Sequence, residues 1–168
     1  KNGCPKEDFE IAKKAIVKPE EKPNQGFWLE KWVACQMVQV LPEGSEVLVN
    51  FTSIMGNRGF EVDVFAIRGH RPFVISCATS RHIEICKQKV FEVAFRANQL
   101  CGEWARPALV CLDVRSDEGV DLTDALQTDV KGMWNSPNVP KIFGQKHLIQ
   151  WLGWDGPPDR SSLKEWVE

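Results

Sequence analysis

No stretch of this chain stays apolar for the roughly 18 residues that a helical membrane span requires. The Lys- and Glu-rich beginning carries no apolar core of the signal-peptide kind. No CxxC pair occurs, and the six cysteines (Cys4, Cys35, Cys77, Cys86, Cys101 and Cys111) stand apart. Most of them lie in apolar runs, where a reduced thiol behaves as a small hydrophobe. That usage implies a reducing, cytoplasmic setting, in which the sequon Asn50-Phe51-Thr52 is accidental. His70, His82 and His147 are too scattered for a metal triad. A basic excess is missing as well: 21 Lys and Arg face 23 Asp and Glu, for a net charge of −2. Wholesale electrostatic capture of nucleic acid is thereby excluded, although a local basic cleft is not. Internal repeats and low-complexity tracts are also lacking.

What is present suits one globular unit with a full-sized core: 168 residues, 43% hydrophobic and 26% charged. The chain does not start with Met, so it is expected to be a piece of a longer protein. Residues 7–17 have helical spacing and, with the breaker-rich stretch after them, form an N-terminal helix and linker (1–25) ahead of the main domain (26–168). A second, largely apolar helix is expected over 26–40. Strands follow at 46–54, 60–67 and 72–79, then a long helix over 82–100 stopped by Gly102. The continuous apolar run 108–114 predicts a central strand. A short helix over 121–130, a strand at 141–143, and helices over 144–152 and 161–167 complete the chain. The core order α-β-β-β-α-β-α-β-α predicts an α/β fold with one core: a helix covering a hairpin-rich mixed sheet, with a crossover back to a buried strand.

The chemistry concentrates on that hairpin. Side chains two apart on a strand share a face, so Glu61 and Asp63 point together, and so do Ser76 and Ala78 on the partner strand. Glu61 and Asp63 are either polar residues of a solvated face or ligands for a hard cation. Glu30, among Leu29, Trp32 and Val33, is either such a ligand or half of an ion pair with Lys31 or Arg106.

Taken in order, Gly26-Phe27-Trp28-Leu29-Glu30, Glu61-Val62-Asp63-Val64 and Val74-Ile75-Ser76-Cys77-Ala78-Thr79 resemble the nuclease domain of CRISPR-associated CARF-type effectors. That domain belongs to the PD-(D/E)xK, or restriction-endonuclease-like, superfamily. Gly102-Glu103-Trp104-Ala105-Arg106 and Ile142-Phe143-Gly144-Gln145-Lys146-His147-Leu148 resemble the family's ending, so the likeness spans about residues 26–152. It implies a restriction-endonuclease-like three-layer α/β/α fold, with Glu30 as the family's first acid and Asp63 as its central metal-binding aspartate. Both would hold Mg²⁺ or Mn²⁺. The family's third strand supplies a Glu and, two residues on, a Lys. Ser76 and Ala78 stand at those positions, so the motif is degenerate. A serine hydroxyl brings no charge to a cation, and alanine offers nothing to a proton transfer.

Substitutes are sought nearby: Glu61 as a third ligand, and Glu84, Lys87 and Gln88 (or Arg81) from the helix after the third strand. Arg58, Arg71 and Arg81, with Arg68 and Lys87, are candidates for phosphate contacts that carry no sequence information. Trp134, Trp151 and Trp154 are either core and interface residues or stacking platforms. Cys77 reads as a buried structural thiol rather than a nucleophile. Two functions follow. One is a metal-dependent nuclease, at full or weakened strength, acting on DNA or RNA; the other is a catalytically dead nucleic-acid- or protein-binding module on the same fold. The resemblance further implies antiviral defence, a homodimer, and a cyclic oligoadenylate bound by an N-terminal sensor outside these residues.

Overall fold

The computed structural model describes residues 6–19, 27–55, 58–116, 118–135 and 138–168, without the side chains of Asp8, Met55 and Arg58. Cys4, Gly26 and most of the expected linker lie outside the described residues. Five strands form one open sheet in sequence order: β1 (Glu46–Met55), β2 (Arg58–Arg68), β3 (Arg71–Ala78), β4 (Arg106–Cys111) and β5 (Lys141–Phe143). The first three make an antiparallel meander, and β4 and β5 add parallel to β3.

Strand alternation assigns the two faces. Val64, Ala66, Phe73, Ile75, Cys77, Ala108 and Val110 pack against α1 (Lys6–Val17), α2 (Phe27–Val40), α5 (Gln145–Leu152) and α6 (Ser161–Val167). Val74, Ala78, Leu109, Cys111 and Ile142 turn the other way, towards α3 (Ile83–Cys101) and α4 (Thr123–Met133). The result is the expected three-layer α/β/α arrangement around a mixed sheet. Helix α2 is apolar on nearly every side because α1, α6 and the sheet all press on it. Its Trp32 stacks on Trp151 at 6.2 Å, and both are fully buried. Helix α1 joins the same core through Ala12, Ala15 and Ile16, none of them exposed to solvent.

Most element bounds agree with the sequence pattern. Strand β4 is the exception: it spans Arg106–Cys111 rather than 108–114. Leu112, Asp113 and Val114 are buried but follow the strand, so the apolar run marked burial rather than ladder pairing. Helix α3 ends as expected at Gly102, whose φ of 61° is open to glycine and whose N–H donates to the Asn98 carbonyl.

Candidate functional site

The β2–β3 hairpin opens at the position of Asp63. The last β2–β3 pair is Val64 with Ile75, and the β1–β2 ladder skips Asn50 and Asp63. Asn50 there takes a left-handed φ of 53°. Val62 and Phe65, an odd number apart, both pack towards α3, which an unbroken strand would not allow. This local break frees the Asp63 carboxylate from a plain sheet face. Its Oδ2 accepts hydrogen bonds from the Ser76 hydroxyl (2.9 Å) and the Cys77 N–H (2.6 Å).

Two other elements converge on this carboxylate. From the first turn of α2, Glu30 is pushed up to about 7 by burial, then by the nearby Asp63 and Glu61 charges, with Lys89 opposing. Its Oε2 is buried and has no hydrogen-bond partner. Arg106, considered for an ion pair with Glu30, instead donates to the Trp166 carbonyl. From α3, Lys89 extends its ammonium to the Cys77 carbonyl at 3.0 Å. The cleft between hairpin and helix, about 90 Å³, is lined by Glu61, Asp63, Ser76, Lys89, Glu92 and Arg96, with apolar walls from Val62, Ile75 and Val93. Arg96 lies 3.9 Å from Glu92 and covers the Phe60 ring at 4.8 Å.

The structure thus brings Glu30, Glu61, Asp63 and Ser76 together. Ala78 is placed elsewhere, on an apolar floor beneath α3 with Cys86, Val90, Leu109 and Cys111. Glu84 and Gln88 are exposed. Lys87 sits 2.8 Å from Asp129 of α4, and Arg81 2.8 Å from Asp113 beyond β4. Arg71 pairs in register with Arg68 at the hairpin turn, the opposite end of the ribbon from Asp63. Nothing is described of the Arg58 side chain. Trp151 is core, Trp134 stacks on Phe91, and Trp154 is half exposed beneath Lys13. Burial and the Asp63 charge hold the Cys77 thiol well above its ordinary range, which suits a structural thiol.

Sequence reasoning looked to this helix for a substitute cation but did not name Lys89, Glu92 or Arg96, which line the cleft. The missed signal was a charged stripe at i, i+3 and i+7, flanking the buried face set by Cys86, Val90, Val93 and Ala97.

A hard divalent cation suits two convergent carboxylates, one with an orphaned buried oxygen. Among the described residues, however, no three His, Cys, Asp or Glu groups close tightly enough to hold a metal unaided. An ion at Glu30 and Asp63 would need oxygens from other sources.

No family model and no curated protein matches this sequence. Solved structures do. Protein VC1899 from Vibrio cholerae aligns with a TM-score of 0.58 at 19% identity, over 84% of this chain and 33% of its own. Can2 from Sulfobacillus thermosulfidooxidans, determined in complex with cyclic tetra-adenylate, aligns with a TM-score of 0.57 at 16% identity, over 85% of this chain and 36% of its own. AF1548, a protein of unknown function, aligns with a TM-score of 0.51 at 15% identity, over 84% of this chain and 76% of its own. At such identities the likeness is one of fold. The chain spans about a third of the length of the first two. Among the described residues, no helix is long and apolar enough to cross a membrane.

Proposed function

We propose that this chain is the nuclease-like domain of a CRISPR-associated effector, acting on nucleic acid with Mg²⁺ or Mn²⁺ held by Glu30 and Asp63. The observation that carries this reading is Lys89. Its ammonium reaches the Cys77 carbonyl beside Asp63, so the cleft has a cation although Ser76 and Ala78 leave β3 without one. When bound, the metal supplies positive charge against a phosphoryl oxygen. Glu30 and Asp63 position it, Ser76 and the Cys77 N–H hold Asp63 in orientation, and Lys89 offers charge to a phosphate or orients the attacking water.

The likeness to a cyclic tetra-adenylate complex supports an effector controlled by a cyclic oligoadenylate. On this reading a sensor and the pairing into a homodimer would belong to residues outside this chain, which matches about a third of that structure. The inert-module reading has its own support, since Asp63 Oδ2 is already engaged by Ser76 and Cys77.

The deciding experiment is Mn²⁺-dependent cleavage of single-stranded DNA and RNA by the full-length protein, compared with Asp63→Ala and Lys89→Ala. The nuclease reading expects cleavage by wild type, none by Asp63→Ala, and at least about 100-fold less by Lys89→Ala. Absence of wild-type cleavage with retained strand binding establishes the inert module. Cleavage that survives Asp63→Ala removes this cleft as its source.

A further inference from the structure

Far from the acidic cleft, three arginines converge on the end of α6. Arg68 donates to the Val167 carbonyl, Arg106 to the Trp166 carbonyl and Arg71 to the Glu168 carbonyl. Each of these bonds uses one guanidinium N–H, out of five such donors per side chain. Among the described residues, no carboxylate side chain pairs with any of the three. Burial, and then the charge of Arg71, depress the pKa of Arg106. Above this cluster opens a cavity of about 340 Å³, lined by Arg68, His70, Arg71, Trp104 and Glu168. Trp104 stands 76% exposed at its wall, far more than an indole needs for packing.

We propose that this cavity is a nucleotide-binding station, with a phosphate held by Arg68 and Arg71 and a base stacked on Trp104. Guanidinium N–H groups suit phosphate oxygens, and an open indole face accepts any base. The volume lies at the lower end of small-ligand sites, enough for one nucleotide unit. That unit is either a free mononucleotide or one residue of a single strand, and the two share this chemistry. Arg68 lies about 17 Å along β2 from Asp63, so the station is separate from the cleft and independent of its activity. Glu168 is the one acid in the lining and opposes the ligand.

The test is equilibrium binding to the full-length protein, in EDTA and low salt, of AMP, oligo(dT), an abasic oligonucleotide and inorganic pyrophosphate. Trp104→Ala and Arg71→Ala serve as variants because both side chains lie at the cavity rim, and thermal melting verifies their folding. The proposal expects AMP or oligo(dT) to bind, with each substitution weakening binding about tenfold or more. Glu168→Gln is expected to strengthen it. Binding of AMP identifies a free-nucleotide site, and binding of the oligonucleotide alone a strand site. If neither binds, if both variants bind like wild type, or if pyrophosphate and the abasic strand bind as well as their base-bearing counterparts, the proposal is overturned.

Discussion

The Glu30 carboxyl meets two like charges in a partly desolvated place, and its proton is held up to about 7 as a result. A raised folded-state pKa means that the folded chain binds this proton more tightly than the unfolded chain. The stability it contributes is complete below the ordinary carboxylate range and is lost as pH rises towards about 7. Glu30→Gln keeps the shape and removes the titration. At pH 8 it is expected to melt a few degrees above wild type, roughly 1 kcal/mol once partial exposure is discounted, with the difference vanishing near pH 4. Melting curves across that range decide it, and a pH-independent difference would contradict the assignment. A bound cation competes with the same proton, so calorimetric Mn²⁺ affinity should climb with pH up to about 7 and level off above. Asn50 offers a separate check at this scale. Its φ of 53° tolerates Asn or Gly but not a β-branched side chain, so Asn50→Val should lose about 1–3 kcal/mol by denaturant titration while Asn50→Gly stays near neutral.

Among the elements, α3 decides what reaches the cleft. Successive helical residues turn by roughly 100°, which sends Glu84 and Gln88 almost opposite the buried face and Lys89, Glu92 and Arg96 to one flank of it. Glu84, Lys87 and Gln88 were attractive in sequence because they lie close to β3, but proximity along a chain does not fix rotation about a helix axis. Only the buried set reveals that, and its members mix Cys, Val and Ala with exposed Phe91 and Phe95 on other sides. Element order, hairpin and helix bounds were legible because their turns carry Gly and Pro and their periods are plain. The Asn50 distortion had no sequence signal beyond an Asn in a strand. The loop after β4 is a second element-scale device. Buried Asp113 joins Arg81, ahead of α3, to Arg115, which in turn donates to Gln145 of α5. Asp113→Ala strands two half-exposed guanidiniums and should destabilise the chain by about 2 kcal/mol in urea unfolding. Gly144, between β5 and α5, presses against the Thr123 side chain with no room for a Cβ, so Gly144→Ala should lose at least as much.

Across the whole molecule, the largest buried cluster runs from α1 through α2 and the sheet to α6, joined by Trp32, Trp151, Phe143, Phe73 and Trp166. The N-terminal helix is therefore part of the core's packing. Trp151→Ala removes a fully buried indole that also donates to Ser162, and should cost about 3–5 kcal/mol by denaturant titration. Lys89 rides on α3, which packs on the sheet face opposite that of α2, the helix that carries Glu30. A lysine on β3 would move with the strand that orients Asp63, whereas this one rides on a separate rigid rod. Tilting that rod by an ångström or two would withdraw the ammonium while leaving both acids in place. For the nuclease proposed above, a shift of this helical layer against the sheet would thus work as a throttle.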